Sequence, residues 1–102
     1  MTPGEKTRVR NFVKACRLFG WIPYAVDDGE ELQRGKNRDD MRDSEIIDAC
    51  DSVYESHILF KNHETGKRSR AWIINGNAPD GSEVVADCGV SLEEPFNRIF
   101  GN

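Results

Sequence analysis

The sequence predicts a small α+β domain in which helices pack on one face of a three-stranded antiparallel meander, in the order α-α-β-β-β-α. Three observations predict it. Apolar residues recur at helical spacing in the first half of the chain, the period changes to two near Tyr54, and helix-capping patterns stand near both ends. A chain of 102 residues has room for one core, so residues 1–102 are expected to form a single domain.

The first predicted helix begins at a T-x-x-E capping box. Thr2 is a good N-cap, Pro3 suits the first helical position, and Glu5 completes the box. Gly20 is typical of a helix end. The apolar face comprises Val9, Phe12, Val13, Cys16 and Phe19. A second face carries the helix cations Lys6, Arg10, Lys14 and Arg17.

Residues 21–26 are apolar but contain Pro23, which cannot donate to a strand ladder. We therefore expect an extended segment packed under the first helix and not a central strand. Residues 27–40 are predicted to be a surface loop, since charges and glycines dominate them. The acidic cluster in this loop comprises Asp27, Asp28, Glu30 and Glu31.

A second helix is predicted over residues 40–52, followed by strands over 54–61, 67–75 and 83–88. The last strand is expected to alternate, with Val84, Ala86 and Cys88 towards the core. Ser91 and Glu94 form an S-x-x-E capping box for a final helix, with Pro95 in its first turn. The predicted core includes Val9, Phe12, Phe19, Ile47, Ile73, Val84 and Phe96.

Composition excludes several classes of function. The chain has 18 acidic and 14 basic residues, and its net charge of −4 disfavours non-specific nucleic-acid binding. No segment approaches the ~20 apolar residues that span a bilayer, and the first residues do not resemble a signal peptide. Three widely spaced cysteines without a C-x-x-C pair indicate reduced thiols, and hence the cytoplasm of a cell.

Catalytic and metal sites are not predicted. His57 and His63 have no cysteine or acid spaced to complete a metal site. Cys88, His57 and Asp87 are the residue types of a nucleophilic triad, but a cysteine on the core face is inert. We therefore expect no enzyme activity, no metal and no cofactor.

Nucleic-acid binding has two candidate surfaces. One is the face of the helix cations, and the other is the strand face that carries Arg68, Arg70 and Trp72. An aromatic ring among arginines can stack a base. The acidic net charge weakens the long-range attraction, so a small nucleic-acid-binding regulator is the alternative function.

Protein binding fits the residues best. The acidic cluster is the densest patch of one sign, and it is expected to dock on a basic surface of a protein partner. Trp21 or an exposed edge strand is expected to supply the apolar centre of that interface. The oligomeric state stays open, a homodimer included, as does binding of a small signalling nucleotide.

The segments AWIINGN (71–77), EVVAD (83–87) and VSLE (90–93) carry a resemblance. Together they resemble a pattern in short uncharacterised proteins of bacteriophages and other mobile elements, over residues 44–95. The resemblance implies a cytoplasmic protein of an infected bacterium that inhibits a host enzyme or a defence system, as anti-CRISPR proteins do. It brings no catalytic residue. The leading hypothesis is thus a non-catalytic inhibitor whose partner is a host or defence-system protein.

Overall fold

The computed structural model describes residues 1–101, in which five strands form one antiparallel sheet and helices cover one of its faces. The strand order is β2-β1-β3-β4-β5. The elements are α1 (Pro3–Leu18), β1 (Trp21–Asp27), β2 (Leu32–Gln33), α2 (Asp43–Asp51), β3 (Glu55–Asn62), β4 (Arg68–Ile74), β5 (Val85–Cys88), a 3-10 turn (Val90–Leu92) and α3 (Glu93–Phe100).

The α+β class and the one-sided helix layer are confirmed, but the sheet has two more strands than the predicted meander. The predicted strands are β3, β4 and β5. The order α-α-β-β-β-α is incomplete because it omits β1 and β2, which lie between α1 and α2. A β-hairpin thus replaces the predicted extended segment and part of the predicted loop.

Pro23 is tolerated in β1 because of where it lies. β1 pairs with β3 over most of its length, but β2 covers only Val26 and Asp27. The Pro23 carbonyl accepts a hydrogen bond from the Met41 backbone N–H at 2.8 Å, so it points away from β3. Backbone N–H and C=O groups of one strand residue point to the same side, so the missing donor costs no bond to β3. The ladder is also irregular between Pro23 and Ala25.

The core lies between α1 and one face of the sheet. Phe12 is fully buried and packs edge-on against Phe60, with ring centroids 6.2 Å apart. Of the predicted core residues, Val9, Phe12, Ile47, Ile73 and Val84 are buried. Phe19 and Phe96 are only partly buried, since each packs at the margin of the core.

Two local predictions near the C-terminus are wrong. The pairing register between β4 and β5 shifts, because Trp72 pairs with Asp87 whereas Ile73 pairs with Val85. Ala86 is therefore an extra, exposed residue, and the predicted burial of Ala86 beside Val84 and Cys88 is wrong. Ser91 does not cap α3, because it lies inside the 3-10 turn that precedes the helix.

The predicted capping box at α1 is confirmed and extended. The Thr2 hydroxyl accepts from the Glu5 N–H, and the Thr2 N–H donates to Glu5 Oε1 at 2.9 Å. The other oxygen of Glu5 accepts from the Gly76 N–H at 2.7 Å. Glu5 is fully buried, so one carboxylate ties the first turn of α1 to the loop after β4.

Replacing Glu5 with alanine is expected to lower the free energy of unfolding by about 2–4 kcal/mol, because the cap and a buried acceptor are lost together. Urea denaturation measures this. Glu5→Gln keeps one acceptor oxygen and should cost less. Glu94→Ala, at an exposed position of α3, is the control and should change the value by less than about 0.5 kcal/mol. Equal stabilities of E5A and E94A would contradict the assigned role.

Candidate functional site

The sheet face opposite the helices, called here the open face, presents its side chains in cross-strand rows. Strand pairing sets these rows, because directly paired residues share a face. Successive rows on one face are about 7 Å apart. The aromatic row consists of Asp27, His57, Trp72 and Asp87. The middle row consists of Ala25, Leu59 and Arg70, and the basic row of Ile22, Lys61 and Arg68.

A groove of about 510 Å³ lies over the basic row. The loop after β2 forms its other wall. Tyr24 lies in the groove with two guanidinium groups over its ring, the carbon of Arg34 at 5.7 Å and that of Arg68 at 5.4 Å from the ring centroid. Within the described residues, the charged lining comprises Arg34, Arg38, Lys61 and Arg68, with Asp39 as the single acid, and His63 also lines the groove.

Glu45 holds the loop that carries Arg34 and Arg38. Its two carboxylate oxygens accept the backbone N–H groups of Arg42 and Lys36, each at 2.9 Å. These hydrogen bonds lower the pKa of Glu45, the bond from Arg42 having the larger effect. Gly35 lies against the same carboxylate, so a side chain at this position would require the Glu45 carboxylate to shift. The loop is therefore anchored on α2 beside the groove.

The cations of the open face differ from those of α1 in their ion pairing. Within residues 1–101, no carboxylate oxygen lies within 4.0 Å of the side-chain nitrogens of the open-face cations. The open-face cations are Arg34, Arg38, Lys61, Arg68 and Arg70. On α1, Arg17 pairs with Asp40 at 2.8 Å and with Asp43 at 3.9 Å, and Lys6 lies 3.8 Å from Asp51.

The two predicted nucleic-acid surfaces therefore do not form one interface. Arg68, Arg70 and Trp72 lie together on the open face, as the alternation of β4 predicts. The helix cations Lys6, Arg10, Lys14 and Arg17 lie in the helix layer, on the other side of the sheet. Two of them are ion-paired, whereas Arg10 and Lys14 are exposed and have no ion-pair partner among residues 1–101.

The acidic cluster forms the turn between β1 and β2. Asp28 accepts the backbone N–H groups of Glu30 and Glu31 and the Gln33 amide, each at 2.9 Å. These bonds, with that from Glu31 first, lower the pKa of Asp28. Glu30 and Glu31 are exposed, and the Asp27 carboxylate accepts the Gly29 N–H. The cluster is thus an ordered, charged turn.

Trp21 is not on the surface, contrary to the interface role expected for it. It is only 6% exposed and belongs to the core cluster, because its cross-strand partner Asn62 places it on the helix side of the sheet. Trp21 therefore cannot be the exposed apolar centre beside the acidic cluster. The partner-binding role of Asp27, Asp28, Glu30 and Glu31 stays a prediction.

Cys88, His57 and Asp87 line one small groove, yet they do not form a nucleophilic site. Cys88 pairs with Ala71 and packs against the core, whereas His57 and Asp87 belong to the open face. Burial first, then Asp87 and Glu93, raise the pKa of the Cys88 thiol to about 11. The thiol is therefore protonated at neutral pH and is a poor nucleophile.

Tyr24, Arg34, Arg38 and Lys61 are the site residues that sequence reasoning missed. Because Pro23 argued against a strand at residues 21–26, nothing in the sequence indicated that Tyr24 and Lys61 lie on one face. The basic run at residues 34–38 was the available signal.

No family model, curated protein or solved structure matches this chain. Within the described residues, no helix is long and apolar enough to cross a bilayer. Residues 1–101 also contain no group of three histidine, cysteine or acidic side chains placed to hold a metal ion. The candidate site therefore depends on its own geometry and charge.

The acidic turn is expected to loosen at low pH. The pKa of Asp28 lies below its ordinary value of 3.8, so its stabilising effect is complete above that pH and is lost as the pH falls through the lower folded value. NMR amide shifts of Glu30 and Glu31, followed from neutral to strongly acidic pH, should move with a midpoint below 3.8. Asp28→Asn should abolish this step and Asp48→Asn should leave it. A midpoint at or above 3.8 would contradict the turn geometry.

Proposed function

We propose that the protein is a non-catalytic module that binds single-stranded nucleic acid on the open face of its sheet. One observation carries the proposal. The cations of the open face, which have no ion-pair partner within residues 1–101, share that face with Tyr24, His57 and Trp72. On α1, in contrast, acidic neighbours offset Lys6 and Arg17.

The cations would hold the phosphates. Backbone phosphate contacts supply most of the affinity of sequence-independent binding, and Arg and Lys provide them. Arg34 and Arg68 lie over the ring of Tyr24, so a base that stacked on that ring would displace one guanidinium towards its own phosphate. This combination of stacking platform and basic groove is typical of proteins that bind single strands.

The shape of the open face favours a single strand over a duplex. Direct reading of duplex DNA uses an element that enters a groove, such as a helix or a two-stranded ribbon. Here the basic helix face is partly neutralised, and the aromatic rings lie on a broad sheet. Rings of this kind can contact only bases that are already unstacked.

The net charge of −4 disfavours nucleic-acid binding less than it would if the acidic residues were spread evenly over the surface. Much of the acidic charge lies on the turn between β1 and β2 and in the helix layer. The sheet separates a strand on the basic groove from the acids of the helix layer, and salt screens charges that are more than about 10 Å apart.

The biological setting is part of the proposal. The resemblance of residues 44–95 to bacteriophage and mobile-element proteins supports a role in the cytoplasm of a bacterial host. A protein that covers a single strand there would oppose a host or defence-system enzyme that acts on the same strand.

A second candidate function is the inhibitor that docks directly on a protein partner through the acidic cluster. One observation favours it. Asp28 fixes the turn by three hydrogen bonds, which leaves the exposed carboxylates of Glu30 and Glu31 in a set arrangement. A preformed charged patch accelerates association with a basic protein surface.

The nucleic-acid proposal predicts unequal effects of two double variants that remove the same charge. Arg34→Ala/Arg68→Ala should weaken binding of a single-stranded oligonucleotide of about twelve nucleotides roughly tenfold or more. Arg10→Ala/Lys14→Ala, in the helix layer, should change it less than about twofold. Fluorescence anisotropy at several salt concentrations measures both.

The salt dependence gives a second test. With three or four phosphate contacts, the wild-type slope of log affinity against log salt should be about −2 to −3, and R34A/R68A should reduce it by about 1.4. Equal losses in the two double variants, or no binding at about 50 mM salt, would refute the proposal.

The second candidate makes a separate prediction. Neutralising Asp27, Asp28, Glu30 and Glu31 to Asn or Gln should slow association with a protein partner captured from bacterial lysate about tenfold at low salt. Surface plasmon resonance measures the rate. The control neutralises Glu83, Glu93 and Glu94, which are exposed elsewhere, and should leave the rate unchanged. An unaltered rate in the first variant would exclude the acidic cluster as the docking surface.

A further inference from the structure

The aromatic row differs in charge from the basic row on the same face. Trp72 lies between His57 on β3 and Asp87 on β5, and His57 in turn faces Asp27 on β1. Two aromatic rings are therefore flanked by a carboxylate at each end. A row that bound only phosphate is not expected to carry carboxylates at both ends, since carboxylates repel phosphate.

The centre of the row is an aromatic ring pair. The rings of His57 and Trp72 lie nearly parallel, at 12°, with centroids 6.3 Å apart. Beside them lies a groove of about 240 Å³ lined by Arg70, Asp87 and the two rings. Nε1 of Trp72 is covered and has no hydrogen-bond partner within the described residues. Unsatisfied polar atoms of this kind call for an explanation and occur at functional sites.

Asp87 is available to a ligand in this groove. One of its oxygens accepts the Cys88 N–H at 2.8 Å, which orients the carboxylate. Within residues 1–101 no cationic nitrogen lies within 4.0 Å of either oxygen, and the side chain is exposed. Asp27 is less available, because its carboxylate accepts the Gly29 N–H inside the turn.

We propose that the aromatic row is a base-binding subsite of the single-strand interface, and that Asp87 makes it prefer bases with an exocyclic amino group. This inference rests on the proposed function and adds specificity to it. The base stacks on Trp72, Asp87 accepts a hydrogen bond from its amino group, and Arg70 contacts the neighbouring phosphate. Arg70 lies in the middle row, between this subsite and the basic groove.

The chemistry of the bases gives the direction of the preference. An ionised carboxylate only accepts hydrogen bonds. Cytosine presents an amino donor at N4, whereas thymine presents the O4 acceptor at the same position. A carboxylate facing thymine O4 would lose its hydration without gaining a donor, and that loss disfavours the complex.

The test compares oligo(dC) with oligo(dT) of about twelve nucleotides, since both are pyrimidine strands. Wild-type protein should bind oligo(dC) about fivefold or more tightly, because a hydrogen bond to a charged group is gained. Asp87→Asn, whose amide can donate to thymine O4, should reduce the ratio to about twofold or less. Glu94→Gln removes the same charge from the helix layer and should leave the ratio unchanged.

Tryptophan fluorescence reports the position of the base. Oligo(dC) should quench the wild-type emission, and Trp72→Phe should lose this quenching, because Trp21 is in the core on the other side of the sheet. Circular dichroism verifies that the variants are folded. Equal binding of the two strands, or an unchanged ratio in D87N, would overturn the subsite while leaving the proposed function intact. Failure of both strands to bind would overturn both.

Discussion

The pairing of β1 with β3 is the constraint on which the rest of the structure depends. It places Tyr24 on the same face as Lys61 and Arg68, and it returns the chain through the turn to β2. The loop that follows β2 then reaches α2, where Glu45 fixes it. Without this pairing, Arg34 and Arg38 in that loop would not lie opposite Tyr24 and the sheet, and the groove would not form.

The fold uses its charges in two ways. On the helix side they form ion pairs that join elements, as Arg17 does between α1 and the residues that begin α2. Exposed pairs of this kind contribute little stability, but they offset the charge of Lys6 and Arg17, two of the four helix cations. On the open face the cations have no such partners within the described residues. A sequence that is acidic overall can therefore present a locally basic groove around Tyr24, although Asp27 and Asp87 lie on the same face.

Local features of this structure were predictable from sequence, and features that depend on distant neighbours were not. The Thr2–Glu5 capping box lies within one turn, and the alternation that places Arg68, Arg70 and Trp72 on one face lies within one strand. The tolerance of Pro23 depends on which element lies beside it, which the sequence does not state. The burial of Trp21 depends on the same register. The missed groove follows from the missed strand.

The open face carries opposite charges at its two ends. Cations surround Tyr24 at one end, and carboxylates flank the pair of His57 and Trp72 at the other, with Arg70 between them. A polyanion lying along β3 and β4 would gain attraction at the first end and meet repulsion at the second. It would remain over the second end only if its bases supplied hydrogen-bond donors to the carboxylates there. On the proposal that this face binds a single strand, the charge pattern that limits non-specific affinity is also the feature that would select among sequences, and an entirely basic face would lack it.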